Sequence, residues 1–235
     1  MKVVVKATLI VAIVLLGFLC WRSIQAPIEF QKEVQKREKA VIQRLVDIRT
    51  AEVAYREQFG KYTASFDTLV DFIKNGKVKT VRSYGDLTEE QLENGMTEEK
   101  AMKIIRSGNV KAIKAAGLWD EKNNQPQLLR DTIYLPAKEV LFANRPDFNP
   151  DSLPYIPYSN GLKFELRTGK LQTASGYPIE VFEAKAPYTA YLGDLNKKLL
   201  NQKIEDALNR PGDNNYPGLK VGSLTVPNNN AGNWE

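Results

Sequence analysis

Residues 7–21 read ATLIVAIVLLGFLCW, and residues 28–59 read IEFQKEVQKREKAVIQRLVDIRTAEVAYREQF. The two stretches carry different kinds of apolar pattern, and that difference decides the fold. The first is 15 residues without a charge, and 19 when counted back through Lys6 to Val3. About 20 such residues let a helix cross a bilayer, and a lysine such as Lys6 can bend its amine back to the headgroups. Trp21 and Arg22 follow at the position of an interfacial anchor. The second stretch has no Gly or Pro. Its Phe30, Val34, Val41, Leu45, Ile48, Tyr55 and Phe59 repeat at helical spacing, with Lys, Arg, Glu and Gln elsewhere. That is a one-faced stripe, which predicts a long helix that Gly60 ends. Pro27 lies between the two and is expected to interrupt or kink the helix.

A cleaved signal peptide is the competing reading of the first stretch. Cleavage after Ala26 would leave Ile24 where a small residue is wanted, so an uncleaved anchor is expected. Gly17-Phe18-Leu19 before Cys20 lacks the small residues of a lipidation site, and Cys20 reads as a small apolar residue. The expected organisation is an anchor over 1–26, an extended helix over 27–60, and a globular head over 61–235. Residues 28–40 are polar enough to stand clear of that head, while 41–59 pack into it.

Composition narrows the chemistry. The 235 residues include no histidine and one cysteine. Triads and metal sites built on His, disulfides within the chain and thiolate clusters are therefore excluded. The net charge is +5, but Lys2, Lys6 and Arg22 lie in the first 26 residues, which hold no acid, leaving +2 on the rest. No clustered arginines mark a nucleic-acid footprint, and nucleic acid is not an expected partner. The carboxylate pairs open to an enzyme are Asp67 with Asp71, and Glu89, Glu90, Glu98 and Glu99. Acids at such spacing on polar helices are ordinary solvated charge, so no catalytic residue, cofactor or metal ligand is assigned.

Beyond Gly60, Ser65 can cap a short helix over Phe66–Lys74. Residues 77–81 alternate as a strand does. A polar segment over about 85–125 holds two or three short helices broken at Gly95 and Gly108, with capping-box spacing from Thr88 to Gln91. It reads as an insertion, with Leu118 and Trp119 docking it back. Residues 132–135, 140–142, 162–166 and 179–182 read as strands with turns at Gly169 and Gly176. Residues 195–208 read as an amphipathic helix, and Leu219, Val221 and Leu224 alternate near the end. The fold class is α+β: a long N-terminal helix, a small antiparallel β-sheet head and a helical insertion.

An anchor running on into a long helix, then Ala51-x-x-Ala54-Tyr55, Gly60-Lys61-Tyr62 and Phe66-Asp67-x-Leu69, resembles type IV pilins and type II secretion pseudopilins. The ending Asn229-Asn230-Ala231-Gly232-Asn233-Trp234 is similar to the Gly-Asn-Trp terminus of major pseudopilins. Two features depart from that family: residues 1–22 contain no glutamate, and Gly222–Trp234 contains no carboxylate, so calcium is not carried over. FDTLVDFIKNGKV, GDLTEEQLENGMTEEKA, RDTIYLPAKEVLF, FEAKAP and GLKVGSLTVPNNNAGNWE also resemble uncharacterised single-pass envelope proteins of the Bacteroidota.

These resemblances imply a non-catalytic, pilin-like component of a bacterial secretion or trafficking assembly, single-pass in the inner membrane with its C-terminal domain in the periplasm. The implied partners are the lipid bilayer through residues 3–21, other envelope proteins, and a second copy through the N-terminal helix. Phe30 and Val34 are candidates for the interaction surface. The alternative is a tethered periplasmic binding module for a glycan or peptide, with Tyr155, Tyr158 and Trp234 as aromatic platforms.

Overall fold

A computed structural model describes residues 2–173, 176–211 and 215–235, the side chains of 2–5, 7, 8, 20, 22, 81, 82 and 129–132 excepted. Helix α1 (Lys2–Phe59) is 58 residues long and runs without a break through Pro27. The expected interruption does not occur. Proline removes one backbone donor, and the helical turns on either side carry the helix past the gap.

The chain divides into two compact units. The first comprises residues 1–74 and 144–235. In it, α1 is followed by α2 (Phe66–Asn75), a 3-10 turn (Pro150–Ser152), β5 (Glu165–Gln172), β6 (Pro178–Pro187), α7 (Tyr188–Leu192), α8 (Lys197–Leu208) and β7 (Gly218–Gly222). The sheet is antiparallel in the order β5-β6-β7. β5 and β6 form a hairpin in which Glu165 opposes Lys185 and Gln172 opposes Pro178. β7 returns beside β6 after the two helices, Glu183 facing Gly222.

Helix α1 packs on β6 and β7. Val34, Val41, Leu45, Ile48 and Ala51 are wholly buried, and every residue of β7 is buried. Spacings of 3, 4 and 7 put these side chains on one stripe. The small Ala51 and Ala54 let the sheet come close. Tyr62 stacks on Phe182 with ring centroids 4.9 Å apart, and Tyr55, Phe59 and Phe72 form an aromatic cluster where α1 meets α2.

The head holds more of α1 than the sequence suggests. Residues 28–40 were expected to stand clear, yet Val34 and Arg37 are buried. Arg37 donates to both oxygens of Asp194 at 2.5 and 2.9 Å, to the Tyr191 carbonyl at 2.8 Å and to Glu33 at 3.0 Å. Lys203 pairs with Glu38 at 3.1 Å. At the other end, Arg49 donates to Glu235 at 2.8 Å and to the Asn230 carbonyl at 3.2 Å.

The second unit spans residues 75–143, and the segment 85–125 lies within it. β1 (Lys77–Tyr84) pairs antiparallel with β4 (Leu129–Pro136) as a two-stranded ribbon. Between them lie α3 (Glu89–Glu93), α4 (Glu98–Arg106), α5 (Val110–Ala115) and the short pair β2 (Trp119–Asp120) and β3 (Gln125–Pro126). The capping box at Thr88 and Gln91 forms in full. Leu118 is buried with Ala101, Met102, Ile113 and Leu128, and Trp119 packs against this cluster, so both residues build the unit's own small core. Residues 140–141, read as strand, belong to helix α6 (Ala137–Leu141).

Candidate functional site

Four residues of α1 face one groove: Ala40, Gln43, Arg44 and Asp47. Their spacing of 3, 4 and 7 from Ala40 places them on one side of the helix. The groove is also lined by Asn144, Arg145, Pro146, Asp147, Phe148 and Asn149, and by Ser152, Pro157 and Tyr158. The groove has a volume of about 690 Å³. That lies within the range of small-molecule sites.

Its electrostatics centre on a buried carboxylate. Asp47 accepts from Gln43 at 3.2 Å and pairs with Arg145 Nη2 at 2.5 Å. The Arg145 guanidinium also lies 5.1 Å from the centre of the Phe148 ring. Arg44 is half-buried, and its Nη1 is screened from solvent without a hydrogen bond among the described residues. Burial lowers the Arg44 pKa from its ordinary value; Asp47 opposes this, and the neighbouring Arg145 adds to it.

Tyr158 is half exposed and has a backbone φ of 62°. Lys36 Nζ lies 5.9 Å from its ring centre and Arg37 Cζ 5.3 Å, so the ring sits beside two cations. Tyr155 lines a second, smaller cavity of about 360 Å³ with Asp67, Asp71, Lys74, Asp151 and Lys163. Lys74 pairs with Asp151 there at 2.6 Å. The two tyrosines therefore line separate cavities.

The remaining sequence candidates fall elsewhere. Val34 is wholly enclosed in the head's core, so its side chain offers no surface to a partner, while Phe30 is half-buried. Trp234 is half-buried and its ring lies over Gly232, where any Cβ would collide with it. Asn233 locks that segment to β7, accepting from Lys220 N and donating to the Gly218 carbonyl, each at 3.0 Å. The Gly-Asn-Trp ending is thus tied into the head's sheet. Lys6 and Trp21 are exposed on α1, and the Arg22 side chain lies outside the described residues. Asp67, Asp71, Glu89, Glu90, Glu98 and Glu99 are all exposed. Among the described residues, no group of three or more His, Cys, Asp or Glu is placed to hold a metal.

Sequence reasoning missed the groove's charged residues and one buried acid. Arg44 and Asp47 flank the Val41–Leu45–Ile48 stripe, a hint that they lie at its border. Glu52 is wholly buried; one oxygen accepts from Thr63 N at 3.0 Å and the other makes no hydrogen bond among the described residues. Burial pushes its pKa up to about 8, so the carboxyl is largely neutral at pH 7. Glu52 lines neither cavity.

The first half of α1 is a surface of another kind. Leu9, Ile10, Val11, Ile13, Val14, Leu15, Leu16, Phe18 and Leu19 are each at least 50% exposed. By length and composition, α1 carries one segment able to cross a membrane, with a mean hydropathy of 2.0 over its best 18 residues. A single-pass anchor is compatible with this. No protein-family model, curated protein or solved structure matches the chain.

Proposed function

We propose that the chain is a non-catalytic, membrane-anchored, pilin-like structural component of a bacterial envelope assembly for secretion or trafficking. In this reading residues 3–21 cross the inner membrane once and the head lies in the periplasm. One observation carries it: the helix that bears the bare apolar sheath is also the spine on which the head folds. A pull or twist on the anchor therefore reaches the head's core without passing through a linker, as an assembly subunit requires. Envelope proteins, and further copies meeting through the first half of α1, are the proposed partners.

The test is purification of the tagged full-length protein from its native membranes in mild detergent, with mass spectrometry of its partners and its own N-terminus. The expected result is a retained Met1 or Lys2 and envelope proteins in constant ratio. A chain that begins near residue 27 and is recovered soluble and alone would overturn the reading.

A tethered binding module is the second reading, and the position of Tyr158 on the groove beside α1 favours it. Saturable binding of a glycan or peptide, lost on Tyr155→Ala plus Tyr158→Ala, would support it.

A further inference from the structure

The ribbon of the second unit leaves a strand edge uncovered. β1 pairs with β4 along its whole length and with no other strand among the described residues. A strand with one neighbour presents its other row of N–H and C=O groups outward, which is a template for a further strand. A two-stranded ribbon also needs a third strand or other packing before it is stable by itself. Of the two edges, that of β1 suits addition better. β4 ends on Pro136, which has no N–H to give, whereas β1 holds no proline.

The side chains beside that edge define the strand that fits it. β1 carries Lys77, Lys79 and Arg82 and no acid. Lys77 and Lys79 are exposed, and neither has an ion-pair partner among the described residues. They lie on one face of the ribbon, opposite Pro136 and Tyr134, and Tyr134 is 60% exposed. Val78 and Thr80 lie on the other face, opposite Leu135 and Ile133; Val78 is buried and Thr80 half-buried. Successive side chains of an added strand alternate between these two faces. On the lysine face, acids in direct register are attracted and further cations are repelled. On the Val78 face, apolar or β-branched side chains match their neighbours. The same charges disfavour a second copy of this chain, because two β1 strands side by side would gather six cations and no acid.

We infer that residues 77–83 of β1 bind an extended segment of a partner protein by strand addition, with acids at alternate positions against Lys77 and Lys79 and apolar or β-branched residues between them. The site lies wholly within the second unit, so it stands or falls independently of how α1 is anchored.

The probe is a fluorophore-labelled acetyl-Glu-Val-Glu-Thr-Glu-Val-amide, titrated by anisotropy into full-length protein held in phosphatidylcholine nanodiscs. Two control peptides are Lys-Val-Lys-Thr-Lys-Val, which reverses the charge, and Glu-Pro-Glu-Pro-Glu-Pro, which keeps the charge but cannot join a ladder. Saturable binding of the first peptide alone is expected, with slower hydrogen exchange at the backbone amides of residues 77–83. Lys77→Glu plus Lys79→Glu should weaken that binding at least about tenfold, because two attractive cross-strand pairs become repulsive ones. The same variant should take up the lysine peptide instead, which also shows that its ribbon is folded. Lys79→Gln, a milder change at an exposed position, should weaken the acidic peptide by up to about fivefold. Equal binding of the proline peptide would overturn the proposal by reducing the site to a basic patch. Binding indifferent to both variants, or added protection confined to residues outside 77–83, would overturn it as well. A dimer of the full-length protein whose residues 77–83 are protected without any peptide would give the edge to a second copy, and would equally overturn it.

Discussion

The two halves of α1 are both rich in apolar residues, yet they meet opposite surroundings. Between Leu9 and Leu19 the large apolar side chains are 50–67% exposed, while Val34, Val41, Leu45 and Ile48 are at 0%. The first half is apolar all round, and the second is apolar along one stripe. A stripe can be satisfied by one sheet, and β6 and β7 provide it. A cylinder cannot be satisfied by one neighbour, and its length and composition are compatible with a single-pass anchor in lipid. The comparison shows that the arrangement of apolar residues, more than their number, decides which part of a continuous helix goes to protein.

If that division is right, damage to one half should leave the other intact. Leu45→Ala removes a fully buried side chain from the head's core. It should lower head stability by about 2–5 kcal/mol. Membrane recovery of the variant should match the parent, as thermal melts and carbonate extraction would check. The reverse substitution, Leu15→Arg, puts a charge in the middle of the exposed sheath. It should oppose insertion by about 2.5–3.5 kcal/mol and shift the chain toward the soluble fraction. Its head should melt where the parent's does; a shared loss in either variant would mean that the halves are not independent.

The contrast was largely legible in the sequence, because it rests on periodicity over many turns. The exposed apolar segment before Pro27, the long amphipathic helix, α8 and the α+β class all follow from such patterns. Short or locally ambiguous segments were not legible. Val140, Leu141 and Phe142 favour strand by residue type, but three apolar residues cannot distinguish a strand from the helix turn that α6 makes. The helix α7 was hidden for the same reason, as its two tyrosines favour strands elsewhere. The groove was hidden more deeply. Arg44 and Asp47 look like the solvated side of a helix, and their surroundings are set by Arg145 and Tyr158, about a hundred residues along the chain. No local pattern reports such long-range contacts.

Glu52 sharpens the comparison from inside the buried half. It is an acid on the stripe side of the helix, kept in the core in its neutral form. Its pKa rises from 4.5 to about 8 on folding. Below pH 4.5 the folded and unfolded chains both carry the proton, and the contribution to stability is full. Between pH 4.5 and about 8 only the folded chain keeps it. Stability should then fall as pH rises, by up to about 1.4 kcal/mol per pH unit. Glu52→Gln keeps an acceptor for Thr63 N and should remove this slope, with denaturant melts at pH 5, 6 and 7 as the measurement. A slope unchanged in the variant would assign the pH dependence to other groups.

The smallest effect belongs at the joint. Pro27 is exposed and lies between the last residues of the sheath and the first buried contact at Val34. Lacking an N–H, it leaves one turn of α1 without its backbone bond, although the helix continues through it. Pro27→Ala restores that bond in a segment outside the head's core. Head stability should therefore change by less than about 0.5 kcal/mol, as for a substitution away from packed features. The angle between the two halves should also stay as it is. Spin labels placed by Leu16→Cys and Lys39→Cys, in a Cys20→Ser background, would be separated by about 35 Å along a straight helix. Parent and Pro27→Ala should give the same narrow distance distribution in nanodiscs. A broad distribution in the parent that narrows in Pro27→Ala would show a hinge at the joint, and would break the reading in which a pull on the first half of α1 reaches the head through one continuous helix.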